Sequence, residues 1–252
     1  MSVCILIPAR YASSRLPGKP LLNIGTKTVI QRTYLQALKS LYVVNNLAVY
    51  VITDSDFIRE NIEKIGGNVL MVAENCLNGT ERITIALQKY RDILSKYDVV
   101  VNVQGDEPFI NPKDIDCAIA AHLKSKHECT TLHYRITDYR QLMDRSIGKM
   151  VINGDGYVMY CSRALIPHSK DGKPQEGTNY YGHIGLFVFD SEFLFKLQQY
   201  PNTPCQLAED IEWLKIIEMG GKIMSCEVEE NEIGVNTPED YAYLLEKYGS
   251  ND

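Results

Sequence analysis

At 252 residues and 28.6 kDa the chain is long enough to bury a sizeable core without staples, and it corresponds to roughly 1.7 average domains. Its 45% apolar, 23% charged and 9% aromatic residues exclude a disordered, collagen-like or low-complexity protein. The 26 basic and 32 acidic residues leave a net charge of −6, which excludes general attraction to nucleic acid or anionic lipid and gives meaning to any local basic cluster.

The first apolar run, residues 3–7, is continuous and rich in β-branched side chains, as expected of a strand covered on both faces. It is far shorter than the roughly 18 residues of a membrane helix. It also lacks the basic flank and small-residue cleavage site of a signal peptide, so a cytosolic protein without a membrane span is expected. A loop with three prolines and one glycine follows over 8–20, carrying Arg10, Arg15 and Lys19. A helix is predicted over 28–40, a strand over 47–53, a helix over 56–65, a strand over 69–72 and a helix over 81–95. The strand predicted over 99–103 ends in Gln104-Gly-Asp106-Glu-Pro108. Such alternation implies a mostly parallel sheet with right-handed crossovers, whose ligands bind beyond the carboxyl ends of the strands. The basic loop and the acidic turn both fall on that edge.

From about residue 130 shorter strand-like pieces appear, at 130–136, 149–152 and 157–160, with a turn at Asn153-Gly-Asp-Gly156. Residues 168–180 read as a polar loop, 185–189 as a strand and 209–219 as a helix. A last helix opens at Thr237-Pro-Glu-Asp240, with a Thr cap, Pro at the first position and acids in the first turn. The seven cysteines show no C-x-x-C spacing and are expected to be reduced and mostly buried.

Three cations within ten residues repel one another unless an anion sits among them, although a solvated loop is the bland alternative. With Gly18 allowing close backbone approach and a helix following, the loop suits a polyphosphate. Neither a Walker loop nor a G-x-G-x-x-G fingerprint is present. Across the edge, Asp106 would hold Mg²⁺, a hard cation that takes few carboxylates and shares phosphate oxygens. The pair of features points to nucleotidyl transfer more than to simple binding.

Six segments occur in matching order: I-P-A-R-Y-A-S-S-R-L-P-G-K-P-L at 7–21, N-G-T-E-R at 78–82, V-N-V-Q-G-D-E-P at 101–108, S-R-A-L-I-P at 162–167, H-I-G at 183–185 and G-V-N-T-P-E-D at 234–240. Together they resemble the 3-deoxy-manno-octulosonate cytidylyltransferase family, the CMP-Kdo synthetases. The resemblance implies an α/β fold like that of the nucleotide-diphosphosugar transferases, with a mixed, mostly parallel central sheet, flanking helices and a smaller sugar-binding and dimerisation lobe. It further implies a Mg²⁺-dependent, cytoplasmic homodimer. Its substrates would be CTP and the keto-deoxy sugar acid Kdo, and its products CMP-Kdo and pyrophosphate, for lipopolysaccharide or related glycans. Residues 1–252 would form one nucleotidyltransferase domain, with about 1–129 for the nucleotide, about 130–235 for sugar and dimer contacts, and 236–252 returning to the site.

By the same resemblance Arg10, Arg15, Lys19 and Asp106 are the catalytic set, with Ala9, Asn78, Thr80, Arg82 and Gln104 completing the nucleotide site. Gln104, Arg163, His183, Phe187, Glu212 and Trp213 would face the sugar. Asp106 and Asn236 would hold metal. Three features depart from the family pattern: Asn236 stands where an acid is usual, and Phe187 and Trp213 replace polar side chains. Weaker metal binding and a modified sugar are the corresponding expectations. The alternatives are a cytidylyltransferase for a modified octulosonate or a nine-carbon keto sugar acid, and a nucleotide-binding paralogue with impaired catalysis.

Overall fold

The computed structural model describes residues 1–12, 16–125, 127–229 and 232–250. Strand β1 (Val3–Ala9) is buried at every position. Its alternate side chains feed two cores, Cys4 and Leu6 on one face, Ile5 and Ile7 on the other. A hairpin of β2 (Asn23–Ile24) and β3 (Lys27–Thr28) leads into α1 (Val29–Ala37), which starts on a reciprocal capping box between Thr28 and Gln31. The chain then alternates through β4 (Val49–Thr53), α2 (Asp56–Glu63), β5 (Val69–Met71), α3 (Gly79–Lys89), the short α4 (Arg91–Leu94) and β6 (Val99–Val103). Strands β6, β1, β4 and β5 lie side by side and parallel.

The helix predicted over 81–95 is divided at Tyr90, whose φ of −112° and ψ of 40° leave helical space. Its hydroxyl accepts from Met71 N (3.1 Å) and donates to Met71 O (2.8 Å), which fixes the break against β5.

The second half contributes α5 (Pro112–Ser125), β7 (Cys129–Arg135), α6 (Tyr139–Met143), β8 (Lys149–Ile152), β9 (Val158–Ser162) and β10 (Tyr181–Asp190). It ends with α7 (Ser191–Gln199), α8 (Pro204–Glu209), α9 (Leu214–Glu218), β11 (Ile223–Val228) and α10 (Pro238–Tyr248). Strand β10 inserts antiparallel between β6 and β7, giving the order β11-β7-β10-β6-β1-β4-β5. Strand β8 pairs with the start of β10 and with β9. Along the main path four junctions are parallel and two antiparallel, so the sheet is mixed and mostly parallel as expected.

Helices α3, α7 and α9 cover one face, and α1, α2 and α5 the other. Helices α5 and α7 and strand β11 were not among the elements read from sequence, although Ile115, Ala118, Ile119 and His122 are buried at helical spacing. The helix predicted over 209–219 is confined to α9, because α8 ends at Glu209 and Asp210 adopts φ 51° and ψ 48°, outside the right-handed helical region. No helix among the described residues is long and apolar enough to cross a membrane. The chain end returns to the sheet edge, where Val235 N donates to Asp106 O at 2.8 Å and Val235 and Leu244 pack on Ile24 and Val29.

Candidate active site

A cavity of about 380 Å³ lies beyond the carboxyl ends of β1 and β6, between the loop after β1, the turn after β6, the β10 bulge and the segment before α10. Gly105 makes the first juxtaposition possible: a Cβ there would lie 2.8 Å from Pro8 O, so only glycine lets the turn close on the end of β1. Lys19 and Asp106 consequently meet, Nζ to Oδ2 at 2.6 Å, with side chains only 14% and 23% exposed. At that burial the pair is far less screened than a surface bridge. Ala9 and Arg10 line the same cavity; Ala9 is buried, and Arg10 is exposed with no ion-pair partner among the described residues. Arg15 lies outside the described residues.

Glu107 was not singled out by the sequence. It is almost fully buried, and desolvation together with the neighbouring Asp106 charge pushes its carboxyl up to about 8. Gly185 N–H donates to it, and a Cβ on Gly185 would lie 2.7 Å from its Oε1. The β10 bulge is thus fitted around this carboxyl group. Between His183 and Phe187 the register against β7 slips, so that these residues face His133 and Thr131.

At the start of α3, Asn78 caps the helix by accepting from Glu81 N (2.9 Å) and lines the cavity. Buried Arg82 lines it too, while donating to Asp54 Oδ2 (2.8 Å) and Val72 O (2.7 Å). Gln104 is anchored by its N–H on Gly185 O (2.9 Å), and its Nε2 approaches Glu212 Oε1 (3.4 Å). Thr80 departs from expectation. It is buried behind this wall, donating through Oγ1 to Glu212 Oε1 (3.0 Å) and accepting from Asn102 Nδ2 (3.3 Å), and it does not line this cavity.

Glu212 lies where expected, on the cavity wall. Its carboxylate lines the cavity but is engaged at the start of α3, accepting from both the N–H (3.2 Å) and the hydroxyl of Thr80. The helix terminus supplies orphan N–H donors, and a carboxylate there satisfies them. Burial raises this carboxyl above its ordinary value, and the Thr80 donors oppose the rise.

Arg163 is held by three backbone carbonyls, Ser146 (2.7 Å), Asp210 (3.0 Å) and Glu209 (3.3 Å). Those partners orient the guanidinium without neutralising it, and no carboxylate forms an ion pair with it among the described residues. Ser146 is presented by a loop that fully buried Lys149 secures, donating to Ile147 O at 2.7 Å. His183 bonds through Nε2 to Thr131 Oγ1 (3.0 Å), and because that hydroxyl already donates to Leu186 O (2.7 Å), His183 carries its proton on Nε2. Nδ1 is left as an acceptor. Burial and the nearby Arg163 charge pull the His183 pKa down to about 3. Its ring lies 4.9 Å from Phe187 and 5.1 Å from Trp213. Phe187 and Trp213 are 1% and 5% exposed, so they shape the wall more than they offer surface.

Asn236 lines the cavity, and its backbone N–H donates to Asp240 Oδ2 (3.0 Å), which also accepts from Thr237 N (2.8 Å). No group of three or more His, Cys, Asp or Glu that could hold a metal occurs among the described residues. One carboxylate and one carboxamide fit a hard cation that takes its other ligands from phosphate oxygens and water.

A parallel strand edge carrying a cationic loop, a carboxylate turn and, across one cavity, an oriented arginine defines a nucleotidyltransferase. The cytidylyltransferase family profile matches residues 4–224. The 3-deoxy-manno-octulosonate cytidylyltransferase of Protochlamydia amoebophila is 39% identical, over 93% of this chain and 90% of its own. The 8-amino-3,8-dideoxy-manno-octulosonate cytidylyltransferase of Shewanella oneidensis is 36% identical, over 95% and 96%. A solved structure of CMP:2-keto-3-deoxy-manno-octonic acid synthetase complexed with CTP superposes with a TM-score of 0.86 at 31% identity, covering 98% of each chain. The chain belongs to the 3-deoxy-manno-octulosonate cytidylyltransferase family.

Proposed function

We propose that this enzyme transfers CMP from CTP to the anomeric hydroxyl of 3-deoxy-manno-octulosonate, releasing pyrophosphate, as a cytoplasmic homodimer serving lipopolysaccharide or related glycan synthesis. The observation that carries this reading is the Lys19–Asp106 pair in one cavity with the unneutralised Arg163. The sugar oxygen bonds to the α-phosphorus as the bond to the β-phosphate oxygen breaks, and negative charge grows on the departing pyrophosphate. Arg10, Arg15 and Lys19 would meet that charge, and fixed cations in a partly buried site lower the barrier. The triphosphate competes with Asp106 for Lys19, which frees the carboxylate. Asp106 and Asn236 would then hold Mg²⁺ with phosphate oxygens; when bound, it neutralises phosphate charge and acidifies the attacking hydroxyl.

Arg163 suits the sugar carboxylate, and His183 Nδ1 suits a sugar hydroxyl as donor. Asn78, Arg82 and Gln104 would contact the nucleotide. In this reading residues 1–129 serve the nucleotide, 130–235 the sugar and dimer, and 236–252 close on the metal. A modified octulosonate is the second reading. It is favoured by the apolar wall of Phe187 and Trp213 and by the engagement of Glu212 at α3, and it accords with the similarity to an enzyme named for an amino sugar.

Pyrophosphate release with CTP and Mg²⁺ is to be compared on Kdo, its 8-amino-8-deoxy analogue and a nine-carbon keto acid. Turnover on Kdo at least equal to that on the others supports the first reading. A clear preference for the amino sugar transfers the assignment to the second, and release on the nine-carbon acid alone overturns both.

A further inference from the structure

A second cavity, of about 250 Å³, adjoins the site and shares Leu77, Asn78, Glu212 and Trp213 with it. Its other walls include Phe189, Leu197, Tyr200 and Ile216. Into this space, whose lining mixes apolar side chains with Thr80, Thr84, Gln198 and Gln206, faces Lys215, which is 9% exposed and flanked on α9 by the fully buried Leu214 and Ile216. No hydrogen bond or ion pair engages its ammonium among the described residues. A buried ammonium that no hydrogen bond or close ion pair holds is costly, and an anion in contact with it offsets that cost.

Of the two acids that line this space, Glu81 favours the charged lysine electrostatically without forming an ion pair with it, and each acid is held by another donor. Glu81 accepts from Leu77 N (2.6 Å), and Glu212 accepts from Thr80. Because both acids line the same space, a dianionic phosphate would meet repulsion that one lysine does not offset. A single negative charge matches one cation, and Phe189, Leu197, Trp213 and Ile216 offer apolar surface to a small body carrying it.

We propose that this cavity is a second ligand site, for a small monocarboxylate whose charge pairs with Lys215 and whose apolar body packs on Trp213 and Leu197. The shared residues Trp213 and Glu212 make it a neighbour that changes the sugar side of the site when filled. Its occupant is distinct from both substrates.

The probe is 4-fluorobenzoate on the full chain, followed by fluorine NMR and by emission of Trp213, the chain's single tryptophan. Saturable binding is expected, undiminished by saturating CTP and absent for the neutral 4-fluorobenzamide. Lys215→Gln should weaken it at least about tenfold, the loss expected when one partner of a buried charge pair is removed. Lys215→Arg should retain it, and Glu81→Gln, which removes the competing acid, should tighten it. Absence of saturable binding, displacement by CTP, or equal binding of the amide or of Lys215→Gln overturns the proposal. The amide and CTP arms use the unaltered protein, so the outcome stands even if a variant does not fold.

Discussion

Lys19 and Asp106 are opposite charges 87 positions apart that the fold presses together as each other's partner, and in the proposed function a nucleotide would part them. Lys19→Met should therefore lower kcat/KM by about 10²- to 10³-fold, the range seen when one donor to developing charge is removed. Steady-state kinetics with CTP checks this, and a loss below threefold would place Lys19 outside the reaction. Asn236→Asp restores an acid beside the same turn, so the Mg²⁺ concentration for half-maximal rate should fall; an unchanged metal requirement and rate would remove the weaker-metal reading. His183 carries a pH signature. Its folded pKa near 3 lies below the ordinary 6.5, so between those values the unfolded chain binds a proton that the folded chain does not, and stability falls as pH falls. His183→Gln should make the decline of Tm across that window shallower by one proton. Burial also lowers His122 and His133, which sustain part of the slope.

Charge placement made Arg10, Lys19 and Asp106 legible in the sequence, because like charges on a short loop are unusual in an acidic chain. Glu107 was not legible. Its environment is created by Gly185 in a bulge 78 positions away, and no local pattern announces such an approach. Thr80 was read as facing the nucleotide, yet it lies behind the cavity wall and bonds to Glu212, because a helix N-terminus draws a carboxylate.

At the level of elements, the α10 cap shows how local chemistry reaches the site. Thr237 accepts from Asp240 N (3.1 Å), and Asp240 in return binds the N–H groups of 236 and 237, fixing the segment that bears Asn236. Thr237→Ala should cost about 1 kcal/mol of stability, readable by denaturant titration, and should raise the Mg²⁺ requirement as Asn236 loosens. In the β10 bulge, Gly185→Ala places a methyl 2.7 Å from Glu107 Oε1, and a shift of bulge or turn should cost about 1–3 kcal/mol. A Tm equal to that of the parent would show the bulge to be loose. The strands of the parallel half and the capped start of α10 followed from periodicity and cap residues. The break at Asp210 did not, since a left-handed aspartate has no pattern of its own and rests on tertiary packing.

Across the whole molecule, one sheet joins both halves, and the antiparallel β10 brings His183 and Phe187 to the edge where the loops after β1 and β6 present Lys19 and Asp106. In the proposed function, substrate contacts would thereby be divided between halves joined by one sheet. The 1.7-domain length resolves into a single continuous sheet with an added hairpin and a returning helix. The alternation of strands and helices disclosed the parallel half; the insertion of β10 depends on long-range pairing that a sequence does not display. The central claim is that this cavity performs cytidylyl transfer to a keto-deoxy sugar acid. Phosphorus NMR of CTP, Mg²⁺ and Kdo with the enzyme tests it most directly. The expected result is loss of the CTP signals with matched appearance of a phosphodiester and pyrophosphate, at least about 100-fold slower for Asp106→Asn. CTP that binds and stays intact with every keto-deoxy acid offered would contradict the account.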